Sequence, residues 1–317
     1  MELCPVPVWE RLAQADSTCT FYQTPAWHAI AARHFHAESI PLYFRFNDTE
    51  ACLPLLKDRR KGRDRYFSPF GTYTALVCPE KLSPEKISPV VSVLKKLNLH
   101  LISSPFTRNP VTVGKPLMSK IQVIDLKSLD AENPVRDWDE GQRRRARVAQ
   151  RENVVVRLAQ SESDWDRYYE LYRLSLQRWG KTATVAYPKA LFDDIRNSLS
   201  GGAAMKLWLA EHEGEVGAGY LTFYHNRHVV PWHGAADEKF FALGATQILF
   251  LRQIEDALQR GFGFFDLTGS GGLSGVESFK SRFGTKTIEF ESSLNRPGLL
   301  GVAAGIRDLF SGFGKKK

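Results

Sequence analysis

No apolar run approaches the roughly 20 residues that a membrane-spanning helix needs. Cysteine is scarce: Cys4, Cys19, Cys52 and Cys78 all lie in the first quarter of 317 residues. None forms a C-x-x-C pair, and the 8 histidines complete no zinc pattern with them. No metal centre is therefore expected, and the thiols read as reduced structural side chains of a cytoplasmic protein. The opening stretch, MELCPVPVWERL, lacks a basic segment followed by an apolar one, so no secretory signal is expected there. Acidic excess is absent too. Lys and Arg total 43 against 35 Asp and Glu, a formal charge of +8. That balance favours an anionic partner such as phosphate, nucleic acid or an acidic membrane face. Hydrophobic residues at 43% and charged residues at 25% exclude a disordered or collagen-like chain.

What is present reads most clearly in the second half. Residues 153–160 (NVVVRLAQ) are short and β-branched, a strand. Ser163 is placed as the cap of a helix carrying Trp165, Tyr168, Tyr172, Leu176 and Trp179 at helical spacing, stopped by Gly180. Pro188 opens another helix, ending at Gly201-Gly202. Three strands are expected at 205–210, 216–224 and 229–235, joined at Glu213-Gly214 and Asn226. A helix over 244–260 and a strand over 262–267 follow. The loop TGSGGLSG leads to a short helix at 276–283, and 286–293 alternates as a last strand. The first half is a looser copy. It shows helices at 9–15, 25–35 and 84–97 and strands at 40–46, 51–56, 65–70, 99–104 and 121–126. Two α/β units with mixed sheets, in tandem, imply a duplicated fold. The predicted layout is a first unit at 1–127, a basic connecting segment at 128–152, a second unit at 153–296 and a tail at 297–317. A substrate groove between the units is expected, since ligand sites favour domain interfaces.

This element order is that of the GNAT acyltransferase fold, and several fragments resemble its FemAB-like branch, whose members carry two GNAT units. FYQTPAW resembles the family's aromatic-Gln-x-x-x-Trp opening, and RRRARVAQRENVVV its entry into the second unit. DWDRYYELYRLSLQRWG resembles its aromatic helix, and HGAADEKFFALGATQILF its Gly-Ala strand end with the following helix. FFDLTGSG followed by ESFKSRFG resembles its aromatic-Asp turn and Phe-Lys-x-x-Phe-Gly signature. The resemblance implies a tandem GNAT-like fold and an N-acyltransferase that moves an aminoacyl or acyl group to an amine of a peptidoglycan-like cell-envelope precursor. It implies a donor of aminoacyl-tRNA or acyl-CoA, with no tightly bound cofactor. Two other readings remain: a CoA-dependent acyltransferase of exopolysaccharide or sugar precursors, and a non-catalytic protein binding an anionic polymer.

Acyl transfer to an amine needs a positioned carbonyl, removal of a proton and a stabilised oxyanion. The strand at 229–235 is the candidate floor, with Trp232 and His233 as substrate-binding candidates. Gly244 opens a helix where GNAT enzymes seat a donor pyrophosphate, but the usual Gly-rich turn is missing, a departure favouring the tRNA-type branch. Lys280 follows a glycine-rich loop, where a cation reaches a phosphate or an oxyanion; the family resemblance places the matching lysine in the donor site. Asp266 ends an apolar strand and is either a base or the cap of an Asx turn, with Glu277 a weaker base candidate. Phe279 is placed beside Lys280 as packing and substrate contact. Within the cation run, Arg143 and Arg147 are the acceptor-binding candidates. The tail at 297–317 has Leu299, Val302, Ile306, Leu309 and Phe313 on one helical face, ahead of three lysines. It reads as docking on the protein's own surface or resting on an anionic membrane.

Overall fold

The computed structural model describes residues 2–60, 62–180 and 185–297. The tail at 298–317, and with it the amphipathic face, lies outside the described residues. In chain order the elements are α1 (Val6–Ala15), α2 (Pro25–Phe35), β1 (Glu38–Arg45), β2 (Glu50–Arg60), β3 (Arg63–Phe67), α3 (Pro84–Leu94), β4 (Leu99–Leu101) and β5 (Lys115–Asp125). They continue with α4 (Glu140–Arg151), β6 (Val155–Leu158), α5 (Glu162–Trp179), α6 (Lys189–Leu199), β7 (Met205–His212), β8 (Glu215–His225) and β9 (His228–Ala236). The last are α7 (Ala245–Gln259), β10 (Phe264–Asp266), α8 (Ser274–Ser281) and β11 (Lys286–Asn295).

Two compact units result. The first is Met1–Ser119 with Glu289–Lys317, and the second is Lys120–Ile288. Residues 128–152, read from sequence as a connector, thus fall inside the second unit, where most of them build α4. The end of β11 belongs to the first unit because Ser293, Leu294 and Asn295 pair with Leu101, His100 and Leu99 of β4. No local pattern announces a partner nearly 200 residues away.

In the first unit the strand order is β1-β2-β3-β4-β11. β3 and β4 are parallel, joined through α3, and the other neighbours are antiparallel. In the second unit the order is β5-β10-β9-β8-β7-β6. β9 and β10 are parallel, joined through α7, and the rest are antiparallel. Each unit therefore has two helices leading into an antiparallel meander, then one parallel pair bridged by a helix, then an antiparallel closing strand. This is the duplicated mixed-sheet fold that the sequence implies.

Local chemistry explains the elements that frame the second unit. α5 starts one turn-residue pair earlier than Ser163 would set it. Ser161 takes the Asp164 N–H while Asp164 reaches back to the Ser161 N–H, a capping box. Asp164 also receives the Arg157 fork at 2.8 and 3.0 Å, which ties β6 to α5. α5 buries Trp165, Tyr168, Leu171 and Tyr172, and α7 buries Ile248, Leu249, Phe250 and Ile254. Phe283 closes the core below α8, edge-on to Trp138 and Phe250 with centroids 4.9 Å apart in each case.

Candidate active site

β9 and β10 pair in parallel only at His228 with Phe264 and Val229 with Phe265. β9 then runs on to Ala236 while β10 ends at Asp266. A bulge falls at Trp232, since the register shifts between His233, opposite Leu221, and Pro231, opposite Thr222. Beyond that divergence the Gly234–Ala236 end of β9 borders a cavity of about 430 Å³. That volume lies within the roughly 300–1,000 Å³ typical of small-ligand pockets. Tyr220 and Phe279 supply apolar wall, Thr246 and Gln247 bring the first turn of α7, and Arg145, Arg178, Trp179 and Phe241 line it as well. Gly234 is required here, since a Cβ would stand 2.4 Å from the Tyr220 ring.

Asp266 and Lys280 come together beside the glycine loop. Asp266 is fully buried. Its Oδ1 accepts the Thr268 N–H at 2.7 Å, so the Asx-turn role is filled, while Oδ2 is buried with no hydrogen-bond partner. Burial pushes its carboxyl up to about 7, against the pull of the Thr268 N–H and the Lys280 charge. Lys280 is half-buried, and its Nζ donates to Gly269 O at 2.8 Å and to Thr268 O at 3.4 Å. Burial lowers its ammonium to about 8, opposed by Asp266. Two of its three donors are thus spent on the loop. Thr268 itself is left-handed at φ 62°. Gln122 was missing from the sequence reading. Its backbone clamps Thr268 O and Leu267 N, and its amide spans Glu277 O and Ser270 Oγ. Glu277 is ion-paired to Lys120 at 2.5 Å.

The other candidates fall in distinct places. Phe279 packs on Phe283, centroids 5.0 Å apart, and also lines the cavity, whereas Lys280, Asp266 and Gly244 are not among its lining residues. His233 is buried, and its Nδ1 lies 2.5 Å from Tyr168 Oη. Desolvation holds the imidazole down at about 3, so it is neutral. Trp232 is half-buried against Tyr187, centroids 5.4 Å apart; neither Trp232 nor His233 borders the cavity. Arg143 and Arg147 both pair with Glu140, at 2.8 and 2.6 Å, on the outer side of α4. Arg145, between them in sequence, is the arginine of α4 that reaches the cavity, a residue the sequence reading passed over. Gly244 caps α7 at φ 71°, and a Cβ there would meet Arg145 O at 2.2 Å.

Residues 140–281 match the family model described as an acetyltransferase (GNAT) domain. This segment of the chain is a GNAT-type acyltransferase domain. No curated protein sequence matches it. Among solved structures, FemX shares 10% identity over 92% of this chain and 97% of its own, with a TM-score of 0.71. The C-terminal domain of a putative lysylphosphatidylglycerol synthetase from Agrobacterium fabrum shares 12% identity over 95% and 96%, with a TM-score of 0.56. A tandem GNAT protein from the clavulanic acid biosynthesis pathway shares 9% identity over 92% and 95%, with a TM-score of 0.50. These likenesses establish the fold, a duplicated GNAT-like arrangement. Among the described residues no helix is long and apolar enough to cross a membrane, and no group of three or more His, Cys, Asp or Glu residues could hold a metal ion.

Proposed function

We propose that this acyltransferase moves an acyl group from acyl-CoA to an amine of a cell-envelope precursor, with Lys280 as its catalytic residue. The observation that carries the reading is the Lys280 ammonium, held on the glycine loop by the Gly269 and Thr268 carbonyls and half-buried beside Asp266. In this reading the thioester enters along the diverging end of β9, the arm of the parallel pair that runs on to Ala236 while β10 stops at Asp266. The amine nitrogen forms a bond to the carbonyl carbon, and the remaining Nζ donor of Lys280 stabilises the oxyanion. The C–S bond then breaks, and the amine's proton leaves to solvent as the thiolate departs. Asp266 has no exposed atom with which to touch the amine. It acts as a positioning residue, favouring the charged form of Lys280 and fixing the Thr268 turn.

The family resemblance supports a cell-envelope acceptor. A second reading, an aminoacyl-tRNA donor, is favoured by the departure at Gly244, which opens α7 without the usual Gly-rich turn. Incubating the protein with acyl-CoA and amine acceptors, and following thiol release, tests the first reading. CoA release that ignores RNase supports it. Acyl transfer seen only with charged tRNA pools, and lost on RNase treatment, replaces it with the second.

A further inference from the structure

α8 presents Lys280 but does little to fix itself. It is eight residues long, its start has no side-chain cap, and none of its residues is fully buried. A helix that short is marginal unless contacts from elsewhere hold it. The Thr268 and Gly269 carbonyls that take the Lys280 Nζ belong to a loop that continues through Gly271 and Gly272, at φ 58° and 80°. Glycine gives such a loop more backbone freedom than other residues would. A flexible side chain tethered to a flexible loop stays in place only within an outside frame. Gln122, buried on β5, supplies it. Its main-chain N–H donates to Thr268 O at 3.3 Å, and its carbonyl accepts the Leu267 N–H at 2.9 Å. Its side-chain oxygen accepts the Ser270 hydroxyl at 3.4 Å. Its amide nitrogen donates to Glu277 O at 3.1 Å and to Thr285 Oγ1 at 3.4 Å. The Thr285 hydroxyl in turn donates to Lys280 O at 3.2 Å. All of these residues lie in the second unit.

We infer that Gln122 is the positioning residue of Lys280: its side chain joins the loop that receives the ammonium to the helix and turn that carry the lysine main chain. An amide suits the task, because one planar group offers an acceptor to Ser270 and two donors to Glu277 and Thr285. Thr285 passes the constraint on to Lys280 itself. Without the amide, loop and helix lose their shared anchor, and the ammonium no longer meets a developing oxyanion at a fixed place. The inference rests on the reading of Lys280 as the catalytic residue.

The test uses two measurements on the full chain, with Gln122→Met, which keeps the bulk and removes the amide, and Thr285→Val, which removes only the relaying hydroxyl. Thr285→Val carries the test if Gln122→Met does not fold. In steady-state kinetics each variant is expected to lose about ten-fold in kcat with KM for the donor unchanged. Placed in a Lys280→Met background, the same substitutions are expected to change kcat by less than about two-fold, because the group they position is gone. The second measurement is independent of turnover. Brief acetylation with an N-hydroxysuccinimide ester, read by mass spectrometry, is expected to label Lys280 several-fold faster in both variants, with the exposed Lys239 labelled as in wild type. Wild-type turnover by Lys280→Met removes the catalytic reading, and the labelling then decides whether Gln122 tethers the lysine. A kcat loss of the same size in the Lys280→Met background shows a general structural role and overturns the inference. Lys280 labelling at the wild-type rate in both variants overturns it as well.

Discussion

At the residue scale, Asp266 is a carboxyl that folding makes harder to ionise. Its raised pKa, about 7, means that the folded chain holds a proton the unfolded chain releases near 4. Its favourable contribution is complete below about pH 4 and is lost as pH rises through 7. Asp266→Asn keeps an oxygen for the Thr268 N–H and removes the buried charge. Thermal unfolding is therefore expected to show the variant gaining stability on wild type at pH 8 relative to its position at pH 5. An identical difference at both pH values contradicts the assignment. Lys280 runs the other way. Its depressed pKa, about 8, makes the protonated form costly in the fold, and that cost disappears above pH 10. If the charged ammonium is required, acyl transfer falls as pH rises through about 8, and a pH–rate profile with no such limb argues against its role. The types of these residues were legible in the motif. Their environment was not, because the orphaned Oδ2 and the two carbonyls that tether Nζ depend on how the loop folds back.

At the element scale, legibility followed apolar periodicity. α2, over Pro25–Phe35, and α5, ending at Trp179 before Gly180, lie where their patterns place them. α4 does not announce itself, because its buried face is only Gln142, Ala146 and Ala149 under a coat of arginines. A run of charge therefore reads as a connector although it is a packed helix. Its contact with the start of α7 is tight enough to test. Gly244→Ala adds a Cβ against Arg145 O at a φ of 71° and is expected to cost about 1–3 kcal/mol of stability by denaturant titration. Stability equal to wild type means the two helices can part. The α5 cap gives a milder case. Ser161→Ala removes one half of the capping box and is expected to cost about 1 kcal/mol, since Asp164 keeps Arg157. The arginines of α4 differ in what they touch. Arg143 and Arg147 share Glu140 at helical spacing, whereas Arg145 donates to the Phe241 carbonyl and lines the cavity.

At the scale of the whole molecule, the duplication is visible in the strand orders, each with one parallel pair bridged by a helix. The two antiparallel closing strands were the part that sequence reading could not assign, since β4 takes β11 and β10 takes β5. Secondary structure in each copy is local and repeats; the choice of closing strand is not. The account depends most on the ammonium at position 280. Steady-state kinetics of Lys280→Met with acyl-CoA and an amine acceptor test it most directly, because the substitution keeps the aliphatic bulk and removes the charge. A fall in kcat of about 100-fold or more, with unfolding temperature and KM for the donor near wild type, is the expected result; turnover equal to wild type would contradict the account.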